Sequence, residues 1–532
     1  MRGLMQKDPL VLTRLLERAV TYYPRGRLST RTPEGMQRQS YEDLGERAAR
    51  LAGALRDLGI ERGDRVGSFA WNSNRHLELY FAVPCMGAVL HTLNIRLHPE
   101  QVAWIANHAE DRVVVVDASL LPVFEKVRPG LKTVEHVVVM GEGGPDGAVD
   151  YEELVASGSP DFAWPDLDED DACTMCYTSG TTGQPKGVAY SHRSMVLHAY
   201  MQGQASVLAI EDRDVVMPVV PMFHANAWGL PYSATLAGAN QVFPGQFSAD
   251  PPVLADIIET ERVTVSGGVP TVWIGLLQHL EKEPRDMSSL RMITGGGAAV
   301  PKSLIEGFER QLGVEIWQGW GMTETGPMAS ISRLSPELDD LPEDERFRVR
   351  AKQGRVVPGI RGRVVDVATG EEVPWDAKSM GEVQVKGNWV AAEYYRPEGL
   401  VEQFVDGWLR TGDVAVIDEH GYMQLVDRTK DLVKSGGEWI STIELESALM
   451  GHPAVLEAAV IAIPDERWSE RPLACVVLKE GAAASKEELL EHIAPQFPKW
   501  WLPDEIEFIS EIPKTSVGKF DKKVLRVKYQ AR

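Results

Sequence analysis

Between positions 40 and 311 the chain alternates strand-like runs with runs of helical periodicity, and this alternation restricts its fold more than any other feature. Ser40-Tyr41-Glu42-Asp43 offers a helix cap, a hydroxyl followed three residues later by a carboxylate. Leu44, Ala48, Leu51 and Leu55 then recur at helical spacing. Strands are predicted at 65–70, 88–93 and 112–117, with helices at 76–86 and 99–108. A second alternation places strands at 214–220, 263–266 and 290–294 and helices at 226–236, 251–260, 270–280 and 301–311. Helices inserted between successive strands imply parallel sheets covered by helices. Past Gly354 the pattern changes to short strands, 362–367 and 381–386, bounded by Gly, Pro and Asp. Past Asp427 it changes again. Strands at 458–463, 473–478 and 505–508 and helices at 442–450 and 486–494 describe a compact α+β unit.

A chain of 532 residues exceeds one hydrophobic core. The expected fold class is therefore α/β. Residues 1–427 form a large N-terminal domain of parallel-rich sheets layered with helices, with a β-rich subdomain. Residues 428–431 form a linker, and residues 432–532 a small α+β C-terminal domain.

Charge and cysteine content narrow the function. The formal net charge of −22 argues against nonspecific binding to nucleic acid or anionic membrane. Any polyphosphate site must then be locally basic. Lys430, Lys434, Lys514, Lys519, Lys522 and Lys523 supply lysines near the C-terminus, although most such lysines decorate a solvated face. Four cysteines in so long a chain suggest a reducing compartment. Cys173 and Cys176 form a lone C-x-x-C in an apolar run, without the second ligand pair a zinc site needs, so they read as small buried hydrophobes. No signal peptide is read at the N-terminus, and no apolar run approaches the ~20 residues of a membrane span. The expected location is cytoplasmic.

Residues 177–187 read Tyr-Thr-Ser-Gly-Thr-Thr-Gly-Gln-Pro-Lys-Gly. Glycines let this backbone close around a ligand, while Thr178, Ser179, Thr181, Thr182 and Lys186 supply hydroxyls and one positive charge. That chemistry suits a polyphosphate. The Walker pattern does not apply, because Lys186 is followed by Gly187 rather than Ser or Thr. Three further segments share this density of small and polar groups. They are Ile293-Thr294-Gly295-Gly296-Gly297, Gln318-Gly319-Trp320-Gly321-Met322-Thr323-Glu324 and Trp408-Leu409-Arg410-Thr411-Gly412-Asp413.

These motifs, with Asp427-Arg428-Thr429-Lys430-Asp431 and Pro513-Lys514-Thr515-Ser516-Val517-Gly518-Lys519, resemble the adenylate-forming superfamily of acyl-CoA synthetases, luciferases and peptide-synthetase adenylation domains. The resemblance runs in order from about Tyr41 to Lys519 and is greatest to medium- and long-chain fatty acyl-CoA synthetases. It implies a large domain followed by a small mobile one. It implies that Ser179, Gly180, Thr181, Thr182, Gly183 and Lys186 bind phosphates, and that Thr178 and Glu324 hold Mg2+. Gly296, Gln318, Gly319 and Trp320 would line the adenine, where Trp320 replaces the family's usual tyrosine. Thr323 would bond the α-phosphate, Asp413 the ribose, and Arg428 ribose or phosphate. Lys430 lies at the family hinge. Lys434 and Trp439 match positions facing the nucleotide and the thiol tunnel, and Ser435, Gly436 and Gly437 line the CoA channel. Lys519 is the expected catalytic lysine. It would neutralise charge between the carboxylate and the α-phosphate.

Substrate signals are sparser. In Pro221-Met222-Phe223-His224-Ala225-Asn226-Ala227-Trp228, the resemblance makes Trp228 a gate to an acyl tunnel and puts His224 beside the acyl carboxylate. Plain core packing is the competing reading for Trp228. Val269 would line the same tunnel. The resulting expectation is an ATP-dependent acid:CoA ligase using ATP, Mg2+ and CoA on a small carboxylic acid, most simply a medium- or long-chain fatty acid. The alternatives are a short thioether or aromatic acid, or the loading of a carrier protein. A homodimer is a family-level expectation.

Overall fold

A computed structural model describes residues 1–178, 185–366, 369–397, 399, 401–428, 431–435, 438–465, 467–515 and 520–529; at 434, 438 and 439 it describes the backbone only. Among the described residues, two large sheets dominate the first 356 positions. One has seven strands, of which Gly187–Ser191 alone runs antiparallel at the edge. The other has nine, with a parallel centre formed by Arg27–Thr32, Asn240–Phe243, Val215–Pro218, Val265–Gly268, Met292–Gly295 and Glu315–Gly321. Val- and Ile-rich runs such as Asp111–Asp117 suit strands buried on both faces. The expected α/β class and the β-rich subdomain are both present. In the subdomain Ile360–Val365, Gly381–Gly387, Phe404–Val405, Trp408–Ile417 and Met423–Arg428 form an antiparallel sheet. The C-terminal unit wraps the antiparallel pair Val455–Asp465 and Ser469–Leu478 with the helices Thr442–Met450, Lys486–Ile493 and Lys522–Tyr529.

Local chemistry sets these boundaries. The helix Tyr41–Asp57 starts at the capping box read from sequence, with the Ser40 hydroxyl and Asp43 bonding each other's backbone N–H. The helix Leu12–Tyr22 escaped the sequence reading. It buries Leu12, Leu15, Leu16 and Ala19 along one stripe, a periodicity that was there to be found. The helix expected at 226–236 begins only at Leu230. The residues before it turn the other way.

In open parallel sheets, ligands bind at the carboxyl ends of the strands. In the nine-stranded sheet those ends lie in register: Pro218 opposite Gly267, Gly267 opposite Thr294, and Gly295 opposite Gln318. The 221–229 turn, Gly296 and the Gly319–Glu324 segment leave the sheet from these ends. The topology therefore gathers three separate sequence motifs on one rim.

Candidate active site

Strand pairing brings the ribose motif to the adenine motif. Asp413 sits on Trp408–Ile417, opposite Arg428 on the neighbouring strand. Its carboxylate is almost wholly buried, at 3% exposure, and both oxygens are engaged. Oδ2 accepts the indole N–H of Trp320 at 2.9 Å, and Oδ1 faces Nε of Arg428 at 3.1 Å. Two donors compensate the cost of burying this charge. In return Asp413, with smaller contributions from Asp431 and Glu324, holds the Arg428 guanidinium protonated above its ordinary range. Trp320 thus does more than offer an aromatic face. It replaces tyrosine with a donor that fixes the carboxylate expected to grip the ribose.

Gln318 takes a different part. Its Oε1 accepts the Val300 N–H and its Nε2 donates to Ala351 O at 2.6 Å. Both ends of the buried amide are tied to backbone, so Gln318 braces the strand from behind. Gly319 follows it with its carbonyl turned towards Gly296, where a methyl group on Gly296 would come within 3.1 Å of that oxygen. Such a close approach requires glycine.

A second group forms around Glu324. The Tyr394 hydroxyl donates to Glu324 Oε1 at 2.6 Å, and the Glu324 carbonyl accepts from Ala391 N at 2.8 Å. Lys186 Nζ lies 4.7 Å from the centre of the Tyr394 ring. The Tyr190 hydroxyl donates to the Thr323 carbonyl at 2.7 Å. Burial first, then the Glu324 carboxylate, raises the Tyr394 phenol well above its ordinary value, so it stays a donor. Thr178 and Lys186 close the base of the phosphate loop, with Thr178 N donating to Lys186 O at 2.9 Å and Lys186 N to Thr178 Oγ1 at 3.3 Å. Sequence reasoning missed Tyr190 and Tyr394. Neither lies in a segment dense enough in glycine or hydroxyls to attract notice.

Among the described residues, no three His, Cys, Asp or Glu side chains converge as a metal cage. Magnesium commonly binds through one or two carboxylates plus substrate phosphates, and a lone buried carboxylate such as Glu324 fits that mode.

Residues 225–229 are the least ordinary backbone among the described residues. Ala225, Asn226, Ala227, Trp228 and Gly229 have φ of 44°, 54°, 50°, 56° and 77°, five consecutive left-handed residues. Left-handed backbone costs about 1–2 kcal/mol per L-residue and usually occurs singly. Buried side chains hold this turn in place. Asn226 Nδ2 donates to Thr174 Oγ1 at 3.0 Å and Gln202 Nε2 to the Trp228 carbonyl at 2.8 Å. The Trp228 ring lies across two strand ends, where a methyl on Gly296 would come within 3.2 Å of it and one on Gly267 within 3.7 Å. His224 is half-buried at the start of the turn, its carbonyl accepting from Ala227 N. Val269, also half-buried, precedes the helix Pro270–Lys282 and packs against the core that contains Trp228.

The remaining expectations fall in or near the C-terminal unit. Ser179, Gly180, Thr181, Thr182, Gly183, Lys430, Gly436, Gly437 and Lys519 lie outside the described residues, as do the side chains of Lys434 and Trp439. Ser435 is described, and its hydroxyl accepts from Arg471 Nη1 at 3.1 Å. Lys522 is largely buried and pairs with Glu446, whereas Lys514 stays on the exposed face and pairs with Glu457, each at 2.7 Å. All four cysteines are free and buried. Burial pushes the Cys176 thiol up to about 11 and Cys173 higher still, so neither offers a thiolate near neutral pH.

Three sheets thus bring together the Trp320–Asp413–Arg428 cluster, the Glu324–Tyr394–Lys186 group and the Trp228 turn. The family model for AMP-binding enzymes matches residues 16–395, and that for the AMP-binding enzyme C-terminal domain matches residues 444–519; the chain belongs to this family. It is 49% identical to a long-chain-fatty-acid–CoA ligase of Thermus thermophilus, over 99% of this chain and 97% of that one. It is 42% identical to a 3-methylmercaptopropionyl-CoA ligase of Ruegeria lacuscaerulensis, over 100% and 99%. The crystal structure of the anthranilate CoA ligase AuaEII with anthranoyl-AMP superposes with a TM-score of 0.89 at 27% identity, covering 98% of each chain.

Proposed function

We propose that this chain is an ATP-dependent acid:CoA ligase whose acid is a medium- or long-chain fatty acid. The carrying observation is the adjacency of two sites: the Trp320–Asp413–Arg428 cluster for a nucleoside and the Trp228 turn for an acyl group, brought together at Gly296, which lies close to both the Gly319 carbonyl and the Trp228 ring. The identity to the Thermus ligase supports the choice of acid.

In the first half-reaction an acid carboxylate oxygen attacks the α-phosphorus of ATP. A P–O bond forms, the bond to the β-phosphate oxygen breaks, and pyrophosphate leaves from acyl-AMP. Asp413 accepts from the ribose hydroxyls, while Trp320 and Arg428 hold its carboxylate still. Thr323 binds the α-phosphate and Glu324, steadied by Tyr394, holds magnesium, which supplies charge neutralisation at the phosphates. Lys186 and the 178–183 segment hold the β- and γ-phosphates, and Lys519 stabilises the developing charge. In the second half-reaction the CoA sulfur bonds the acyl carbon, AMP leaves with the C–O electron pair, and the thiol proton is released. The step needs no covalent enzyme intermediate.

Both half-reactions use one nucleotide, so we place a hinge at 428–431, between units 1–427 and 432–532. Supporting contacts cross it. Asp427 Oδ2 accepts from Thr442 N at 3.0 Å, and Asp431 pairs with Arg526. Lys434, Trp439, Gly436 and Gly437 would then face the CoA thiol after rotation. We assign the enzyme to the cytoplasm on its free, protonated thiols, and assign it a homodimeric state that light scattering will test.

The test is CoA-thioester and pyrophosphate formation across linear acids of two to eighteen carbons. A maximum at medium or long chains is the expected result. A second reading, a short thioether acid, is favoured by the Trp228 ring lying across Gly267 and Gly296 and by the Ruegeria relative. Preference for 3-methylmercaptopropionate over every fatty acid would establish it and overturn the first.

A further inference from the structure

We infer that Gln202 is a positioning residue that sets acid specificity by holding the left-handed turn that carries Trp228. The inference rests on the reading of Trp228 as the acyl gate.

Gln202 ends the helix His192–Gln202, far in sequence from any nucleotide motif, and is fully buried. Its Nε2 donates to the carbonyl of Trp228, the last non-glycine residue of the left-handed run. Its Oε1 is met by the hydroxyl of Ser233, which also lies 3.0 Å from the Gly229 carbonyl. Ser233 is 2% exposed and sits one turn into the next helix. A buried amide whose two ends grip both sides of one turn fixes that turn's peptide orientation.

The surroundings allow no easy alternative. A side chain at position 229 would approach within 2.7 Å of His198 Nδ1, so only glycine passes there. His198 is itself fully buried, and burial lowers it to about 3, which keeps the ring neutral. Its Nε2 accepts from Met328 N at 3.3 Å. The turn is thus clamped between an uncharged ring and an amide. Four L-residues persist in a disfavoured conformation only where their surroundings over-determine it. Releasing the Trp228 carbonyl removes the contact that opposes relaxation. The indole then leaves the strand ends at Gly267 and Gly296, and the depth available to an acyl chain changes.

The test compares Gln202→Met, Ser233→Ala, Trp228→Ala and the double variant Gln202→Met/Trp228→Ala. The readouts are kcat/KM over linear acids of four to sixteen carbons, KM for ATP and the melting midpoint. Methionine keeps the length of glutamine and removes its donor. Gln202→Met should change the ratio of long- to short-acid kcat/KM by about tenfold, the scale of one methylene's discrimination in an apolar pocket. The change should run in the direction of Trp228→Ala, with KM for ATP within about twofold of the parent. The double variant should match Trp228→Ala alone, because both changes act through one ring. Ser233→Ala should show the same shift at smaller size, and it carries the test if Gln202→Met does not fold. A lowered melting midpoint with the parent acid profile in both variants overturns the inference. So do additive effects in the double variant. If Trp228→Ala leaves the profile unchanged, the gate reading fails and the positioning role falls with it. If Trp228→Ala shifts the profile and the other two do not, the positioning role alone falls.

Discussion

Trp320 and Trp228 belong to the same rim of the nine-stranded sheet, with two strands between theirs, 8% and 9% exposed, and they are held in opposite ways. Trp320 is held through its side chain, by an indole N–H given to a buried carboxylate, on a paired strand whose register shifts just after it. Trp228 is held through its backbone carbonyl, in a left-handed turn that its own sequence disfavours. On the proposed function, the first arrangement would position a group for the nucleotide, and the second a ring whose displacement changes which acids fit. Nucleotide recognition would then be built on strand pairing, and acid selection on a conformation kept in place by buried neighbours.

That contrast can be broken by variants that respect only one side of it. The largest expected effect is Lys519→Ala, which should slow acyl-AMP formation by about 10²–10³-fold for every acid tested, with no change in their order. Thioester formation from supplied acyl-AMP should survive. Equal loss of both half-reactions contradicts the assignment. Next is Asp413→Asn, which removes the charge that Arg428 and Trp320 share. Its kcat/KM for ATP should fall by about 10–100-fold, as expected for losing charge-assisted bonds in a buried site. A changed acid profile in this variant would erase the separation between the two regions.

Smaller effects sharpen the comparison. Trp320→Phe keeps an aromatic face and deletes the donor to Asp413. KM for ATP should rise about 3–10-fold, less than the full worth of one hydrogen bond to a charged group because Arg428 still holds Asp413. The preference for ATP over 2′-deoxyATP should narrow, because the ribose carboxylate is no longer fixed. Unchanged discrimination would reduce Trp320 to a flat surface for the base. Tyr394→Phe should raise the magnesium concentration needed for half-maximal rate by a similar factor of about 3–10, since Glu324 loses the hydroxyl that steadies it.

Legibility in the sequence followed the same divide. The alternation of strand and helix, the capping box at Ser40 and the strand Glu505–Phe508 were readable because each rests on residues close in the chain. Asp413, Thr323 and Glu324 were singled out because their motifs carry the resemblance to the adenylate-forming family. Their partners were not. Tyr190 and Tyr394 reach Thr323 and Glu324 across sequence separations of 133 and 70 residues. The left-handed turn was misread as the start of a helix, since Ala, Asn and Trp carry no local signal for five such residues in a row. Gln202, Ser233, Thr174 and His198, buried against it, make that conformation hold.

The smallest expected effect concerns the contact across the proposed hinge. Asp427, Thr442, Glu446 and Lys522 form one buried polar group there: Lys522 Nζ lies 2.7 Å from Glu446 Oε1, and Glu446 also accepts from Val460 N at 2.7 Å. Burial lifts Glu446 to about 7 despite the Lys522 ammonium, and burial raises Asp427 as well. In the unfolded chain Glu446 titrates at its ordinary 4.5. Between roughly 4.5 and 7 the folded unit therefore binds more protons than the unfolded chain, and stability falls as pH rises through that window. Asp427 contributes with the same sign. The melting transition of the C-terminal unit should drop by about 5 °C between pH 5 and pH 7.5, the scale of one kcal/mol in a unit of this size. Glu446→Gln keeps an acceptor for Val460 N and cannot titrate, so its transition should vary less over the same range. Protection factors over 442–460, taken against the intrinsic amide exchange rate at each pH, measure the effect directly. Greater protection at the higher pH would show that the Glu446–Lys522 ion pair outweighs the cost of burying the carboxylate, and would reverse the sign argued here.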